Sequence, residues 1–418
     1  MFHKHLSSSY AWFMTLVAAL FFFFSFFQVN MMTALNYPLS LEFHTGAGQI
    51  GLLSAWFFYA NIIFMIPAGL ISDRLSIKYI MIITMLIAVV GTFVLAYSSN
   101  IYWASFARFI NGIQMAFGLI ACLKLASMLL PTKHLALASS LIVTIGMIGG
   151  VFSNLVLQAL IDHLGYRWSL IIVAIFGIFV ALVIWFFIHL PKQGMKKTHA
   201  KGSIWSNLGV VVREKQNWLC GFFTCLLNLP LVVLGALFGI SYLQQVYGFS
   251  NLEAASITSM LFIGMIFGSP FFGWLSDFVK QRRLPMAIGG VLCLLFVLLL
   301  MYFVNLHMPE LYILFFAIGF TSAAQVLSYP MITQSNSLKF TATALAIASI
   351  IIIGIGYGVT LPMVGGILEW GWMGKYYKGA HDYALSTYRN AFLTMPIGIA
   401  ISLILIAFMR EPKGKQYK

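Results

Sequence analysis

The sequence predicts an all-α membrane protein whose twelve transmembrane helices form two pseudo-symmetric six-helix bundles. Of its 418 residues, 61% are hydrophobic and only 8% are charged, and the mean hydropathy is +0.94. Apolar runs long enough to cross a bilayer recur along the chain, and one short motif occurs once in each half. A soluble domain could not bury this much apolar surface, so the composition itself indicates a membrane.

Twelve apolar runs are separated by clusters of charged residues, proline and glycine. A run of about 20 residues crosses the hydrocarbon core as a helix. The first run is too long, and too poor in small residues at a cleavage point, for a removable signal peptide. The predicted spans are residues 11–37, 47–71, 78–98, 101–130, 134–162, 166–190, 217–247, 252–276, 284–306, 309–332, 340–370 and 387–409.

The distribution of basic residues predicts the orientation of these spans. Most of the 24 lysines and arginines fall on the side that holds both termini. Because basic loops are retained in the cytoplasm, we expect cytoplasmic termini and a multi-pass protein of the cell inner (plasma) membrane. The longest polar segment, residues 191–216, is then a basic cytoplasmic linker between an N-terminal bundle, residues 1–190, and a C-terminal bundle, residues 217–418.

A short motif follows the second span of each half. Both copies have the form G-x-[IL]-S-D followed by basic residues. Glycine allows helices to approach closely, the aspartate can accept hydrogen bonds or pair with cations, and the cations keep the loop in the cytoplasm. Such contacts suit a gate, although topogenic charge with a tight turn is the alternative. The candidate gate residues are Gly69, Asp73, Arg74 and Lys78 in the first copy and Gly273, Asp277 and Arg282 in the second.

At these residues the sequence resembles the major facilitator superfamily, whose signature loop is G-x-L-a-D-r-x-G-r-k. Ser76 departs from it, because the family usually has glycine there. The fourth span resembles a second family motif, an arginine followed by small residues, at Arg108, Asn111, Gly112 and Gln114. The resemblance implies a fold of two six-helix halves, alternating access, and a repeated loop that locks the halves on the cytoplasmic side. It also implies that the first, fourth, seventh and tenth helices line the cavity.

The ten acidic residues all fall in loops or within about two turns of a predicted span end. Proton-coupled and cation-exporting transporters commonly use a carboxylate buried in the membrane. The absence of such a carboxylate from the predicted spans argues strongly against cation or drug export and mildly against proton symport. The fifth span also has Met147 where drug antiporters of the family have proline.

Two cations lie within the fourth span. Arg108 is about two turns from one end and should face the bundle interior, because an arginine in lipid is costly. Lys124 lies nearer the other end, where its long side chain can reach the interface, and on nearly the opposite helix face. Amides within the spans complete the predicted substrate and coupling pathway, with hydrogen bonding between helices as the alternative role. The implied cavity helices favour Asn30, Asn228 and Gln325 among them. The candidates are Arg108, Asn111, Gln114, Asn30, Asn154, Asn228, Gln325 and Lys124.

These residues predict a secondary active transporter of a small polar solute, anionic or zwitterionic, with proton-coupled uptake. Organic acids, amino-acid-like compounds and carboxylate siderophores fit a cavity with a cation and amides but no carboxylate. The alternative is a proton-coupled exporter of drugs or metabolites. The predicted partners are the solute, protons and membrane lipid, and the predicted functional unit is a monomer.

Other classes of protein fit less well. The net charge of +14 lies in scattered loops, so nucleic-acid binding is not expected. No phosphate-binding GxxxxGK[ST] loop, HExxH cluster or CxxC pair occurs, so we expect no ATPase, enzyme activity, metal or cofactor. A receptor should carry a large soluble domain. The four cysteines are expected to be packing residues.

The last external loop, residues 369–389, is long and aromatic. Two interpretations remain open for it, a small lid over the outward mouth and an interfacial aromatic belt.

Overall fold

The computed structural model describes residues 8–189, 211–303, 306–337, 341–377 and 379–411. The predicted linker therefore lies outside the described residues up to position 210. The side chains of Asp73 and Arg74, two of the predicted gate residues, are also outside the description.

Residue contacts divide the chain into two compact units, residues 1–45 with 52–198 and residues 46–51 with 199–418. The helices of the first half are long because their apolar runs are long, and proline or glycine stands between several of them. They are α1 (Ser8–Asn30), α2 (Met32–Glu42), α3 (Ala47–Arg74), α4 (Ile77–Tyr97), α5 (Ile101–Leu129), α6 (Thr132–Leu164) and α7 (Tyr166–Phe187).

The second half contains three segments that depart from the α-helical repeat. They are two π-helical segments, π1 (Leu231–Phe238) and π2 (Ile352–Val359), and one 3₁₀ segment (Ala323–Leu327). The α-helices are α8 (Lys215–Leu227), α9 (Gly239–Tyr247), α10 (Asn251–Val279), α11 (Arg283–Tyr302), α12 (Met308–Ser322), α13 (Ser328–Ser335), α14 (Thr341–Ile351), α15 (Thr360–Trp370), α16 (Leu385–Phe392) and α17 (Thr394–Phe408). A two-residue hairpin, β1 (Tyr376–Tyr377) with β2 (Ala380–His381), precedes α16.

The described residues contain eleven helices long and apolar enough to cross a membrane, and a twelfth if one bent pair is counted as one span. That pair joins α8 to the helix from Leu231 to Tyr247 at an angle of 48°. Pro230 stands at the bend, where its missing N–H removes a helical hydrogen bond. The prediction of a twelve-span all-α membrane protein is confirmed.

Glycine allows α10 and α12 to pack backbone against backbone. A Cβ added to Gly264 would lie 2.2 Å from the Phe316 carbonyl oxygen, and one added to Gly319 would lie 2.0 Å from that of Leu261. At the motif residues Gly69 and Gly273, an added Cβ would meet no atom of the described residues within 4 Å. The close approach expected at the motif glycines is therefore not seen in the described part of the chain.

Gly319→Ala should lower the thermal stability of the purified protein. The new methyl group has no room against the α10 backbone, and overpacking of this kind costs about 1–3 kcal/mol. Gly366→Ala is the matched control, because Gly366 lies in α15 with open space around it, where alanine favours a helix by about 0.5–1 kcal/mol. Thermal unfolding in detergent, followed by tryptophan fluorescence, measures both. Equal melting temperatures for the two variants would contradict the tight crossing.

Candidate functional site

Arg108 lies in the second turn of α5 and is completely buried, with 0% of its surface exposed. The side chain of Asn100 fixes the start of this helix by accepting hydrogen bonds from the N–H groups of Tyr102 and Trp103. The Arg108 Nη1 donates to the backbone carbonyl of Gln28 in the last turn of α1, at 2.9 Å. The guanidinium also lies over the Phe57 ring of α3, 4.6 Å from its centroid.

The positive charge of Arg108 has no carboxylate partner among the described residues, and its Nε and Nη2 atoms have no hydrogen-bond acceptor there. A carbonyl at the negative end of α1 and the electron-rich face of a ring offset part of the cost of burying this charge. Two donor nitrogens, Nε and Nη2, which form one edge of the planar guanidinium, have no acceptor among the described residues. Such donors suit a carboxylate, phosphate or other planar anion.

Further polar contacts join α1 and α5, which run antiparallel to each other. The Asn111 amide donates to the Gln28 Oε1 at 3.1 Å, and the Gln28 Nε2 donates to the Thr92 hydroxyl of α4 at 2.8 Å. One turn further along α5, the Gln114 Nε2 donates to the Ser25 hydroxyl at 2.7 Å. Asn111 and Gln114 are thus brought to the same interface as Arg108.

Three other predicted pathway residues have different surroundings. Asn30 donates to the Phe26 carbonyl of its own helix, at 2.8 Å. Asn154 in α6 is fully buried, and neither of its amide atoms has a partner among the described residues. Lys124 donates to the Ser72 carbonyl at the end of α3, which places it beside the signature loop rather than beside Arg108.

The second unit holds an uncharged polar cluster where its irregular segments meet. Asn228, at the bend before π1, accepts from the Gln325 Nε2 at 3.0 Å and donates to the Tyr357 hydroxyl at 3.4 Å. Gln325 lies in the 3₁₀ segment and Tyr357 in π2. Departures from the α-helical repeat turn side chains and backbone groups toward positions that a regular helix would not offer. The two predicted amides of this half are therefore in direct contact.

At the second copy of the repeated motif, charged side chains contact one another and the start of the next helix. The Arg282 guanidinium lies 3.8 Å from the exposed Asp277 carboxylate and donates to the Ser276 hydroxyl at 3.2 Å. The Glu411 carboxylate accepts the N–H of Arg282 at 2.6 Å and that of Arg283 at 3.2 Å, which caps the start of α11. In the first copy, Lys78 lies 5.3 Å from the centroid of the Trp185 ring.

Sequence reasoning did not single out Gln28 as a partner of Arg108, and it missed Phe57 and Tyr357 altogether. Gln28 is two residues from the favoured Asn30, and only the packing of α1 shows which of them faces α5. Phe57 and Tyr357 belong to apolar and glycine-rich runs that look like ordinary membrane helix. No group of three or more His, Cys, Asp or Glu side chains among the described residues could hold a metal ion.

Membrane-length helices in two units, each with buried polar groups between its helices, define a polytopic α-helical membrane protein. The model of the Major Facilitator Superfamily matches residues 15–262 and again residues 222–418. The chain belongs to this superfamily and is a secondary transporter, not an enzyme.

Solved structures of the same fold include two transporters. A bacterial homologue of the human lysosomal transporter Spinster, inward-facing and occupied, has a TM-score of 0.79 at 18% identity, covering 96% of this chain and 97% of that chain. Its unoccupied form has a TM-score of 0.74 at 18% identity, covering 96% of each chain. The nucleoside transporter NupG has a TM-score of 0.78 at 16% identity, covering 95% of this chain and 99% of that chain. No curated protein sequence matches the chain.

Asn228→Ala and Gln325→Ala should each destabilise the protein, but the double variant should lose less stability than the sum of the two single losses. Each single change leaves the other buried amide without its partner, at a cost of about 1–3 kcal/mol. Thermal unfolding of the four proteins of this double-mutant cycle gives the coupling. As a control, Asn228→Ala combined with Gln158→Ala should be additive, because Gln158 donates to Asp162 within α6. Additive effects of Asn228→Ala and Gln325→Ala would contradict the contact.

Proposed function

We propose that the protein transports a small polar solute with a carboxylate or another anionic group, which binds to Arg108. The observation that supports this proposal is a fully buried guanidinium with two unused donors and no carboxylate partner in the described chain. Leaving a buried charge uncompensated is expensive. An anionic substrate that reaches Arg108 during the transport cycle would remove this cost, so the protein favours the bound anion.

The amide cluster of the second unit supports a zwitterionic or hydroxylated solute. Asn228, Gln325 and Tyr357 supply donors and acceptors without net charge. They can recognise hydroxyl, amide or ammonium groups of a solute. Organic acids, amino-acid-like compounds and carboxylate siderophores share this combination of groups.

We further propose uptake coupled to protons, in a functional monomer of the inner membrane with both termini cytoplasmic. The orientation follows from the distribution of basic residues in the sequence. A gradient must supply the energy, because the sequence has no phosphate-binding loop of the ATPase type. The candidate gate residues are those of the repeated motif, one copy in each half.

Arg108→Lys and Arg108→Ala should each lower solute uptake at least tenfold. This corresponds to a loss of about 1.4 kcal/mol or more of transition-state stabilisation. Lysine keeps the charge but has no planar fork, so it cannot hold the Gln28 carbonyl and also present two parallel donors. Uptake of radiolabelled organic acids and amino acids into proteoliposomes, with and without an imposed pH gradient, measures the effect.

Arg167→Lys is the matched control, since this exposed arginine pairs with Glu42 near the start of α7 and should leave uptake unchanged. Thermal unfolding of each variant separates loss of transport from loss of folding. Unchanged uptake by folded Arg108 variants would remove Arg108 from the mechanism. Absence of flux for every anion and zwitterion tested would contradict the substrate class, and uptake unaffected by the pH gradient would contradict proton coupling.

A further inference from the structure

Gln28 contacts the surroundings of Arg108 through its backbone carbonyl and through both ends of its side-chain amide. It is fully buried in the last turn of α1. Its carbonyl accepts the hydrogen bond from the Arg108 Nη1 at 2.9 Å. Its side-chain oxygen accepts from Asn111 at 3.1 Å, and its side-chain nitrogen donates to the Thr92 hydroxyl at 2.8 Å. One residue of α1 therefore links the arginine to α4 and to a second residue of α5.

The orientation of the Gln28 amide is fixed by its two neighbours. The Thr92 hydroxyl donates to the Ala88 carbonyl of its own helix at 2.8 Å, so it presents a lone pair, and not a proton, to the Gln28 nitrogen. The Gln28 oxygen then points toward the Asn111 amide. A Cβ added to Gly91 would lie 2.0 Å from the Asn111 Oδ1, so glycine allows α4 and α5 to approach each other here.

The helices that contact Arg108 or Gln28 supply no carboxylate at this depth. The α1, α4 and α5 sequences contain no aspartate or glutamate, and the only acid of α3 is Asp73 in its last turn. Arg108 contacts α3 at Phe57, about four turns earlier in that helix. Glutamine has the same size and shape as glutamate. The neutral amide at position 28 therefore keeps a carboxylate away from the guanidinium.

We propose that Gln28 is a specificity-determining residue, whose neutral side chain leaves the Arg108 cation available to an anionic solute. A carboxylate at position 28 would lie within the short distance over which charges in a membrane interior interact strongly. It would pair with Arg108 and repel a second anion, which is a common way to exclude a ligand. Gln28 is buried and acts through Arg108, so it is a positioning residue. This inference rests on the proposed binding of the solute to Arg108.

The substitution Gln28→Glu tests the inference first through stability, without any solute. The melting temperature of the purified protein should rise by at least about 2 °C, because the buried cation gains a counter-ion. The Thr92 hydroxyl can turn and donate to the new carboxylate, and Asn111 can still donate to it. In an Arg108→Gln background the same substitution should lower the melting temperature, because the buried carboxylate then has no cation. Thermal unfolding in detergent, followed by tryptophan fluorescence, gives all four values.

Gln114→Glu is the matched control for burying a carboxylate. Gln114 is also fully buried in α5 and lies about 9 Å along the helix from Arg108. Its amide nitrogen donates to the Ser25 hydroxyl and to the Phe21 carbonyl. Glutamate cannot make these two donations, so this variant should have a lower melting temperature than wild type.

Uptake into proteoliposomes tests the role of Gln28 in specificity. Gln28→Glu should lower uptake of the radiolabelled organic acids or amino acids that the wild type transports at least about tenfold, because the solute then meets a like charge. Gln28→Met is neutral and of similar length. It should lower the melting temperature by removing the amide hydrogen bonds, yet it should retain more uptake than Gln28→Glu. A residue with a purely structural role would not separate stability from uptake in this way.

Three results would overturn the inference. They are a melting temperature of Gln28→Glu that falls as in Gln114→Glu, an equal rise in the Arg108→Gln background, and wild-type uptake by folded Gln28→Glu. Failure of the proposed function looks different. In that case the wild type transports none of the organic acids and amino acids, or folded Arg108→Ala transports them as well as wild type does. If Arg108→Ala loses uptake and Gln28→Glu keeps it, only the role of Gln28 is wrong.

Discussion

Burial of the Arg108 guanidinium constrains how the helices of the first unit pack. No described carboxylate pairs with this charge. The backbone of α1 and the ring of Phe57 lie close to the guanidinium and stabilise it instead. Gln28 lies in the last turn of α1, where the helix dipole is negative. The same residue also ties α4 and α5 together through Thr92 and Asn111. Arg108 and Gln28 together thus connect four helices, α1, α3, α4 and α5.

Hydrophobic length and an internal repeat were enough to predict the fold. Each span is visible because a bilayer demands a long apolar helix, and the two motif copies show the duplication. The helix bounds also confirm that the acids lie near helix ends, as at Glu253 in the first turn of α10 and Glu369 in the last turn of α15. Arg108 was recognisable as an interior residue by the cost of exposing it to lipid.

The details of the candidate site depend on information that a single sequence does not contain. A helix that is apolar on every face has no polar stripe to show which of its residues point inward, so Gln28 and Asn30 could not be told apart. The bend at Pro230 was not predicted within the seventh span. The π-helical and 3₁₀ segments that bring Gln325 and Tyr357 to Asn228 were not predicted either, because they arise from packing between helices. The same limit applies to the phenylalanines of α1, because Phe21, Phe22 and Phe24 are buried inside the first unit although the sequence did not distinguish packed from lipid-facing positions.

The placement of acids at helix ends has a consequence for proton coupling. A carboxylate that binds a proton in this chain must do so near a membrane surface, since Arg108 occupies the interior position and arginine stays protonated. In the proposed mechanism, the solute anion and the coupled proton therefore bind to different groups, so variants at Arg108 change the first without removing a carboxylate.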